Sequence, residues 1–524
     1  METKNPKVCI LAAGRGTRLA EFTQSINKAL LPVKGKAVIS QIIDKFPAGT
    51  EFVIALGYKG KIVQDYLALA HPQNKFTFVN VENFDGPGSG PGHSMLCCRN
   101  ILGESDFYFV PCDTMWSEKT ETLGTAENWI AVATVSDDER EEYCTVKFNT
   151  KKVTGLILKS KTSESNLAFT GLAYVRDTEI FWQALQTSPI EKSEIQVIDG
   201  FRALAQQSQL GVRNITWTDV GLLQNYIAEI KANENYDFSK SNEHLYSFSG
   251  HVIKFFADEK IAANRVKKAG LNLSVFPKIE AQKPHFYKYL YQPGQTLYEN
   301  SDPEVFEDLL NWLDLNLWVT KPDKKHEINL LCQNFYYKKT LERLEQFKKK
   351  YPTHHLTRLN GHSVPEVDEL LQKINWEPLF EGHAYFIHGD LQPDNILYDD
   401  FKKKFLLLDW RQDFAGAVGY GDLYYDIAKL WGGINLNYKE IKNNYFSYEE
   451  RGFECTYRYP THPHFNKCTE HIKTLIAKKA MSMHKVQLLV GLIYLNMSPL
   501  HHYPFDKMLH AMGREIIFKN LEKN

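Results

Sequence analysis

Apolar residues follow two habits along residues 7–230. Short runs rich in Val, Ile and Phe, namely "KVCILAA" (7–13), "EFVIALG" (51–57), "KFTFVNV" (75–81) and "DFYFVPCD" (106–113), read as strands. Between them, "AVISQIIDKF" (37–46) and "GKIVQDYLALA" (60–70) place apolar residues at helical spacing. This βαβα rhythm predicts an α/β domain with a doubly wound, mostly parallel, Rossmann-like sheet, and it puts the chemistry on loops that follow strands.

The habit changes at "KANENYDFSKSN" (231–242). Three short β-like runs follow, "NYDFSK", "EHLYSFS" and "HVIKFF", then a helical stretch "DEKIAANRVKKAG" and a β pair ending in "HFYKYLY". Two long helices come next, "EVFEDLLNWLDLNLW" and "NLLCQNFYYKKTLERLEQFKKKY", the second read as one continuous element. The pattern predicts a boundary near Asn233: residues 1–232 form one domain, and 233–524 form a two-lobed α+β domain with a small lobe to about 292 and a helical lobe beyond. A chain of 524 residues accommodates this, at roughly 100 to 200 residues per domain.

Composition removes several function classes. With 43% apolar and 24% charged residues, and no segment near the roughly 20 apolar residues that span a bilayer, a soluble chain without membrane partner is expected. The start, "METKNPKVCILAAG", lacks a signal peptide's longer apolar region, which predicts a cytoplasmic protein. Eight cysteines with no CxxC pair indicate neither a zinc site nor a disulfide framework. A net charge of −1 gives no electrostatic reason for a nucleic-acid partner.

Candidate chemistry clusters in two places. After the first strand, "ILAAGRGTRL" presents Leu11, Ala13, Gly14, Gly16 and Thr17 in a turn with little side-chain bulk, so backbone N–H groups can meet phosphate oxygens, and Arg18 adds a charge. "INKALLPV" supplies Lys28 ten residues on. The combination resembles the nucleotidyltransferase superfamily of sugar-nucleotide pyrophosphorylases and phosphocholine cytidylyltransferases over about residues 7–230. The resemblance implies that Gly14, Gly16, Thr17, Arg18 and Lys28 hold a triphosphate. It also implies that "GPGSGPGHS", with Gly88 and Ser94, lies at the base-recognition loop. "FVPCD" then supplies Asp113 as first metal ligand, "FTGLAYV" the family's TG strand, and "WTDVGLLQNY" Asp219 as second metal ligand. The residue types suit the reaction: a phosphomonoester must attack the α-phosphorus of a nucleoside triphosphate, so Arg18, Lys28 and Mg²⁺ would offset the repulsion of two anions. Lys159 and Lys161 in "LKSKT" are read as solvated surface lysines.

The second place is "FIHGDLQPDNIL" followed by "KKFLLLDWRQDF", an H-x-D-x4-N pattern and then a strand ending in Asp409. It resembles the aminoglycoside phosphotransferase and choline kinase superfamily, which is distantly like protein kinases. By that resemblance, spanning about 236–521, Asp390 orients the acceptor hydroxyl and takes its proton, and Asn395 and Asp409 hold Mg²⁺ against ATP. "DFSKSN", with Ser241, is the phosphate-covering loop, Lys254 in "HVIKFF" the strand lysine, and Glu259 its ion-pair partner. His388 is read as structural, Asp426 as a cap or brace, and Arg411 and Asp413 as either acceptor-lining or a surface salt bridge. Trp431, Tyr438, Tyr445 and Tyr448 are read as core packing, with a cation–π cage for a quaternary ammonium as the alternative.

A kinase makes a phosphomonoester and a nucleotidyltransferase consumes one. The two resemblances therefore imply a bifunctional enzyme that phosphorylates a small hydroxyl compound with ATP and then couples the phosphate to a nucleoside monophosphate, yielding an activated donor for glycan or lipid decoration. Choline or a similar amino alcohol with CTP is the first reading. An anomeric sugar kinase with a sugar-1-phosphate uridylyltransferase, using UTP, is the second, and a nucleotide-sensing regulatory protein is the third.

Overall fold

The computed structural model describes residues 6–149, 152–158, 165–191, 194–231, 242–461 and 463–523. They form two compact units. One takes in the described residues through Lys231 together with the hairpin of 242–257, and the other begins at Asp258.

The first unit is built on a nine-stranded sheet. Its strands are β1 (Lys7–Ala12), β2 (Glu51–Leu56), β3 (Lys75–Asn80), β4 (Phe107–Pro111), β5 (Asn128–Thr134), β6 (Thr145–Asn149), β7 (Lys152–Ile157), β8 (Leu167–Val175) and β9 (Leu210–Asn214). The order is β7-β6-β8-β4-β1-β2-β3, with β5 beside β8 and β9 beside β5. The four predicted strands, β1 to β4, pair in parallel, whereas β8 runs antiparallel to β4 and β5. The sheet is therefore α/β and mixed. Apolar side chains such as Val53, Phe107, Phe109, Phe181 and Phe201 form one buried cluster against it. The helices Gly60–Ala70 (α1) and Pro91–Leu102 (α2) follow β2 and β3 in sequence, continuing the strand–helix alternation.

Two glycine motifs prove to be close-packing devices. Gly171, in the TG strand, has φ +92°, and a Cβ there would strike Pro111 of β4. Around Gly90 and Gly92 a Cβ would meet Ile195 O at 2.9 and 2.7 Å, so the loop before α2 lies directly on the segment 194–195. Gly88, at φ +80°, would bring a Cβ into ordinary contact with the Asn83 amide at 3.5 Å. The hairpin β10 (Glu243–Phe248) and β11 (His251–Phe256) packs within this unit: Tyr246 Oη donates to Leu30 O at 2.7 Å, and its ring meets that of Tyr66.

In the second unit, α3 (Glu259–Leu271) precedes the hairpin Ile279–Lys283 and Phe286–Leu290. The helical part follows. The stretch read from sequence as one helix is three: Glu327–Cys332, a π-helical stretch Gln333–Lys338, and α4 (Lys339–Lys350). A π-turn inserts an extra residue and rotates the apolar face, which periodicity alone does not disclose. The hairpin β12 (Ile396–Asp399) and β13 (Lys404–Leu407) is followed by α5 (Leu423–Asn435), nearly every residue of which is buried. Helices Met483–Met497 and Phe505–Leu521 touch backbone to backbone, a Cβ on Gly491 lying 3.1 Å from Gly513 O.

Candidate active sites

In the first unit, β1 ends at Ala12, and the following turn is pinned from outside. Tyr58 N donates to Ala13 O at 2.8 Å, while Asn27 Nδ2 donates to Ala12 O and Tyr58 O at 2.9 and 2.7 Å. Asn27 also accepts from Ala29 N, capping the turn Lys28–Leu30, so one amide side chain sets both the glycine turn and Lys28. Gly16 sits at φ +68°, where a Cβ would press on Lys28 Cβ and Thr23 Cγ2 at 3.2 Å; a left-handed, crowded position of this kind suits glycine. Gly14 faces open space, and Thr17 and Arg18 are exposed. Leu11 lies at the strand end with its carbonyl accepting from Cys112 N. Arg15 is committed elsewhere, 2.6 Å from Asp85 and over the rings of Tyr58 and Phe84.

Asp113 and Asp219 are brought together by a short antiparallel pair, 114–116 against 217–219, in which Asp219 lies opposite Thr114. The gap between them is kept by Gly221: a Cβ there would lie 2.6 Å from Asp113 Oδ2 and 3.0 Å from Asp219 Oδ1. Lys28 Nζ is 2.7 Å from Asp113 Oδ2. Burial alone would raise the Asp113 carboxyl, but the charge and hydrogen bond of Lys28, then the charge of Arg18, hold it below the usual range. Asp219 moves the other way, pushed up by burial and then by the Asp113 charge. Two converging carboxylate oxygens fit a hard divalent cation such as Mg²⁺. Tyr143, which sequence reading missed, donates from Oη to Asp219 Oδ2 at 3.0 Å. Ser94 is buried in the first turn of α2 and donates to Gly90 O at 3.2 Å, inside its own helix. Lys159, Lys161 and Ser241 lie outside the described residues.

In the second unit the H-x-D-x4-N segment folds back on itself. Asp390 N donates to His388 Nδ1 at 3.1 Å, and His388 Nε2 lies 2.8 Å from Leu408 O, so the imidazole accepts at one nitrogen and donates at the other. Burial pushes its pKa down to about 3, which keeps it neutral. Both ring nitrogens are thus engaged by backbone groups of the same unit. Asn395 Nδ2 donates to Asp390 O at 2.9 Å, which leaves its amide oxygen for a ligand. Asn395 O accepts from Leu408 N across the β12–β13 hairpin, so Asp409 arrives beside Asn395 in the left-handed region at φ +53°. An amide oxygen and a carboxylate also suit Mg²⁺. Gly389, at φ +83°, would clash with Arg411 Cβ if it carried a side chain.

Two buried charges hold this loop. Asp426 accepts from His388 N and Gly389 N, both at 2.7 Å, and from Trp318 Nε1 at 3.1 Å, and is a brace rather than a cap; burial pushes it up to about 6. Asp422 is the residue that caps α5. Lys268 donates to His388 O and Arg411 O at 3.1 and 2.9 Å, with burial lowering it to about 7. One further partner was not foreseen: Lys429, on α5, lies 2.7 Å from Asp390 Oδ1 and is almost fully buried.

Lys254 is 7% exposed in β11 of the first unit, whereas Glu259 opens α3 of the second, 3.2 Å from His285. Trp431, Tyr438 and Tyr448 are buried while Tyr445 is 63% exposed, which is core packing and not one aromatic cage. All eight cysteines are free, and no helix among the described residues is long and apolar enough to cross a membrane.

The described residues form an α/β unit followed in the chain by a second unit of helices and small sheets. A family model for nucleotidyl transferase matches residues 7–236, and one for the phosphotransferase enzyme family matches 258–460. The chain thus joins a nucleotidyl transferase domain to a phosphotransferase domain. It is 26% identical over 217 residues to the bifunctional protein GlmU of Methanococcus maripaludis, covering 40% of this chain and 50% of that one. It is 28% identical over 175 residues to the N-acetylmuramate alpha-1-phosphate uridylyltransferase of Caulobacter vibrioides, covering 33% and 69%. The chain spans about half the length of the GlmU relatives it matches. Apo UDP-glucose pyrophosphorylase superposes with a TM-score of 0.38 at 18% identity, over 44% of this chain and 98% of that structure.

Proposed function

We propose that the chain performs two consecutive transfers: residues 233–524 phosphorylate a small hydroxyl compound with ATP, and residues 1–232 couple that phosphate to a nucleoside monophosphate, releasing pyrophosphate. The observation that carries this reading is that both constellations assemble in one chain, Lys28 with Asp113 and Asp219 in one unit and Asp390 with Asn395 and Asp409 in the other. The product class of one is the acceptor class of the other.

In the kinase step Asp390 orients the acceptor hydroxyl and accepts its proton, and Lys429 holds that carboxylate in place. Asn395 and Asp409 would hold Mg²⁺, which neutralises phosphate charge when bound. In the second step the glycine turn and Arg18 bind the triphosphate, Lys28 approaches the reacting phosphates, and Asp113 and Asp219 would hold the metal. A sugar as acceptor, with UTP, is supported by the relative whose name is that of a uridylyltransferase for a sugar 1-phosphate. The amino-alcohol reading with CTP rests on the kinase-motif resemblance.

The test is to incubate the protein with Mg²⁺, ATP, either UTP or CTP, and a panel of sugars, polyols and amino alcohols, and to identify products by mass. Asp390→Ala should abolish the phosphomonoester but leave nucleotidylation of a supplied one, and Asp113→Ala should do the reverse. If each variant, still folded, silenced both steps, the two-site reading would be wrong.

A further inference from the structure

Around Asp390 the second unit gathers several cations. Lys429 pairs with Asp390, but three further cations approach the same place: Lys339 at the start of α4, Arg343 one turn on, and Arg411 after β13. Lys339 Nζ lies 3.9 Å from the centre of the Phe335 ring, and the Arg411 guanidinium lies 4.9 Å from the same centre. Phe335 itself is buried, stacked on Phe414 and set edge-on to Tyr425. The π-helical stretch Gln333–Lys338 immediately before Lys339 carries Phe335 and so sets this arrangement.

Among the described residues neither Lys339 nor Arg411 has a carboxylate within ion-pair distance, and Arg411 Nε is buried without a hydrogen-bond acceptor. Arg343 donates to the neutral Gln346, with Glu342 the acidic group beside it. Burial, and then the like charges of Arg411, Arg343 and Lys429, hold Lys339 well below the ordinary lysine range, with Asp390 the opposing charge. Like charges held together at partial burial are costly unless an anion completes them. Arginine and lysine flanking an apolar ring also make a surface that accepts an oxyanion at one edge and a carbon skeleton at the other.

The geometry points to an acceptor that is itself anionic: a hydroxyl compound bearing a carboxylate or a phosphate, whose hydroxyl reaches Asp390 while Lys339, Arg343 and Arg411 bind its charged group. This rests on the proposed kinase reading and narrows its substrate class. It excludes choline and other cationic amino alcohols, which would add a fifth positive charge to the cluster.

The test uses the full chain with Mg²⁺ and ATP on matched sets of acceptors: neutral hexoses and polyols, their uronate or aldonate forms, their monophosphates, and choline. ADP release and product mass are read for each. Anionic members should be turned over with kcat/KM at least tenfold above the neutral ones, and choline should not be phosphorylated. The carboxylate and phosphate arms tell which oxyanion is used. In Lys339→Gln and separately in Arg343→Gln, the more exposed position, KM for the anionic acceptor should rise at least tenfold while KM for ATP moves less than twofold. Equal turnover of neutral and anionic members, or of choline, would overturn the inference, as would a rise in KM for ATP alone, which would assign the cations to the nucleotide phosphates. No transfer to any member of the panel would instead overturn the kinase reading itself.

Discussion

Each unit holds a lysine ammonium 2.7 Å from a carboxylate expected to do chemistry, Lys28 on Asp113 and Lys429 on Asp390, yet the two pairs are built in opposite ways. In the first unit both partners are nearly as covered as each other, with side chains 18% and 14% exposed, and a second carboxylate, Asp219, shares the space. There the lysine offsets repulsion between two acids and keeps one of them ionised. In the second unit the lysine is the buried partner at 6% exposure, while Asp390 is 38% exposed. There the lysine is an anchor, and the carboxylate is left open toward solvent. The same ion pair is covered on both sides in one place and open on its acidic side in the other, and the difference lies in which partner meets solvent.

The largest effect expected follows from removing the ammonium. Lys28→Met should reduce nucleotidyl transfer by roughly a hundred- to a thousandfold and leave phosphoryl transfer intact, and Lys429→Met should do the reverse, when each half-reaction is assayed alone. If Lys429→Met slowed both, the claim that the pairs serve separate reactions would fail. Next in size is the brace behind Asp390: Asp426→Asn replaces a carboxylate that accepts three N–H donors by a group with one acceptor oxygen. It should cost about 2–3 kcal/mol in urea unfolding of the second unit with the first unit's transition unmoved.

Acid should then separate the units more gently. Burial lowers His71 to about 4 in the first unit and His388 to about 3 in the second, both below an ordinary histidine near 6.5. Below 6.5 the unfolded chain binds a proton that the folded chain refuses, so stability is full above that pH and falls as pH drops toward 4 and 3, by up to about 1.4 kcal/mol per pH unit per histidine. His388→Gln should flatten that fall for the second unit, and an unchanged slope would show that other groups govern it. The smallest effect is expected at Ser94, whose hydroxyl is already used by Gly90 O; Ser94→Ala should cost no more than about 1 kcal/mol and change nucleotide affinity less than about threefold.

Much of both sites was legible in the chain. The strands at 7–12, 51–56 and 107–111 lie within the apolar runs that predict them, because a parallel strand buried on both faces needs uninterrupted apolar residues, whereas the partly covered edge strand at 75–80 is legible from its Phe and Val content. Asp390, Asn395 and Asp409 lie within 20 residues of one another, so a single loop and hairpin suffice to assemble them, and their spacing is visible in one dimension. Other residues left no such trace. Lys429, Lys268 and Tyr143 act through long-range contacts, and each sits in an element that looks like ordinary buried helix or loop.

The sequence by itself therefore determined the two-part plan, the α/β character of the first part and the loops that carry the motifs, since these depend on local periodicity, glycine conformation and short spacing. Tertiary structure alone decided which charges stand behind those loops, and where the π-helical stretch sets Phe335 beneath Lys339. The physical reason is that a buried charge is tolerated only beside its partner, and the identity of that partner is set by packing between segments far apart in the chain.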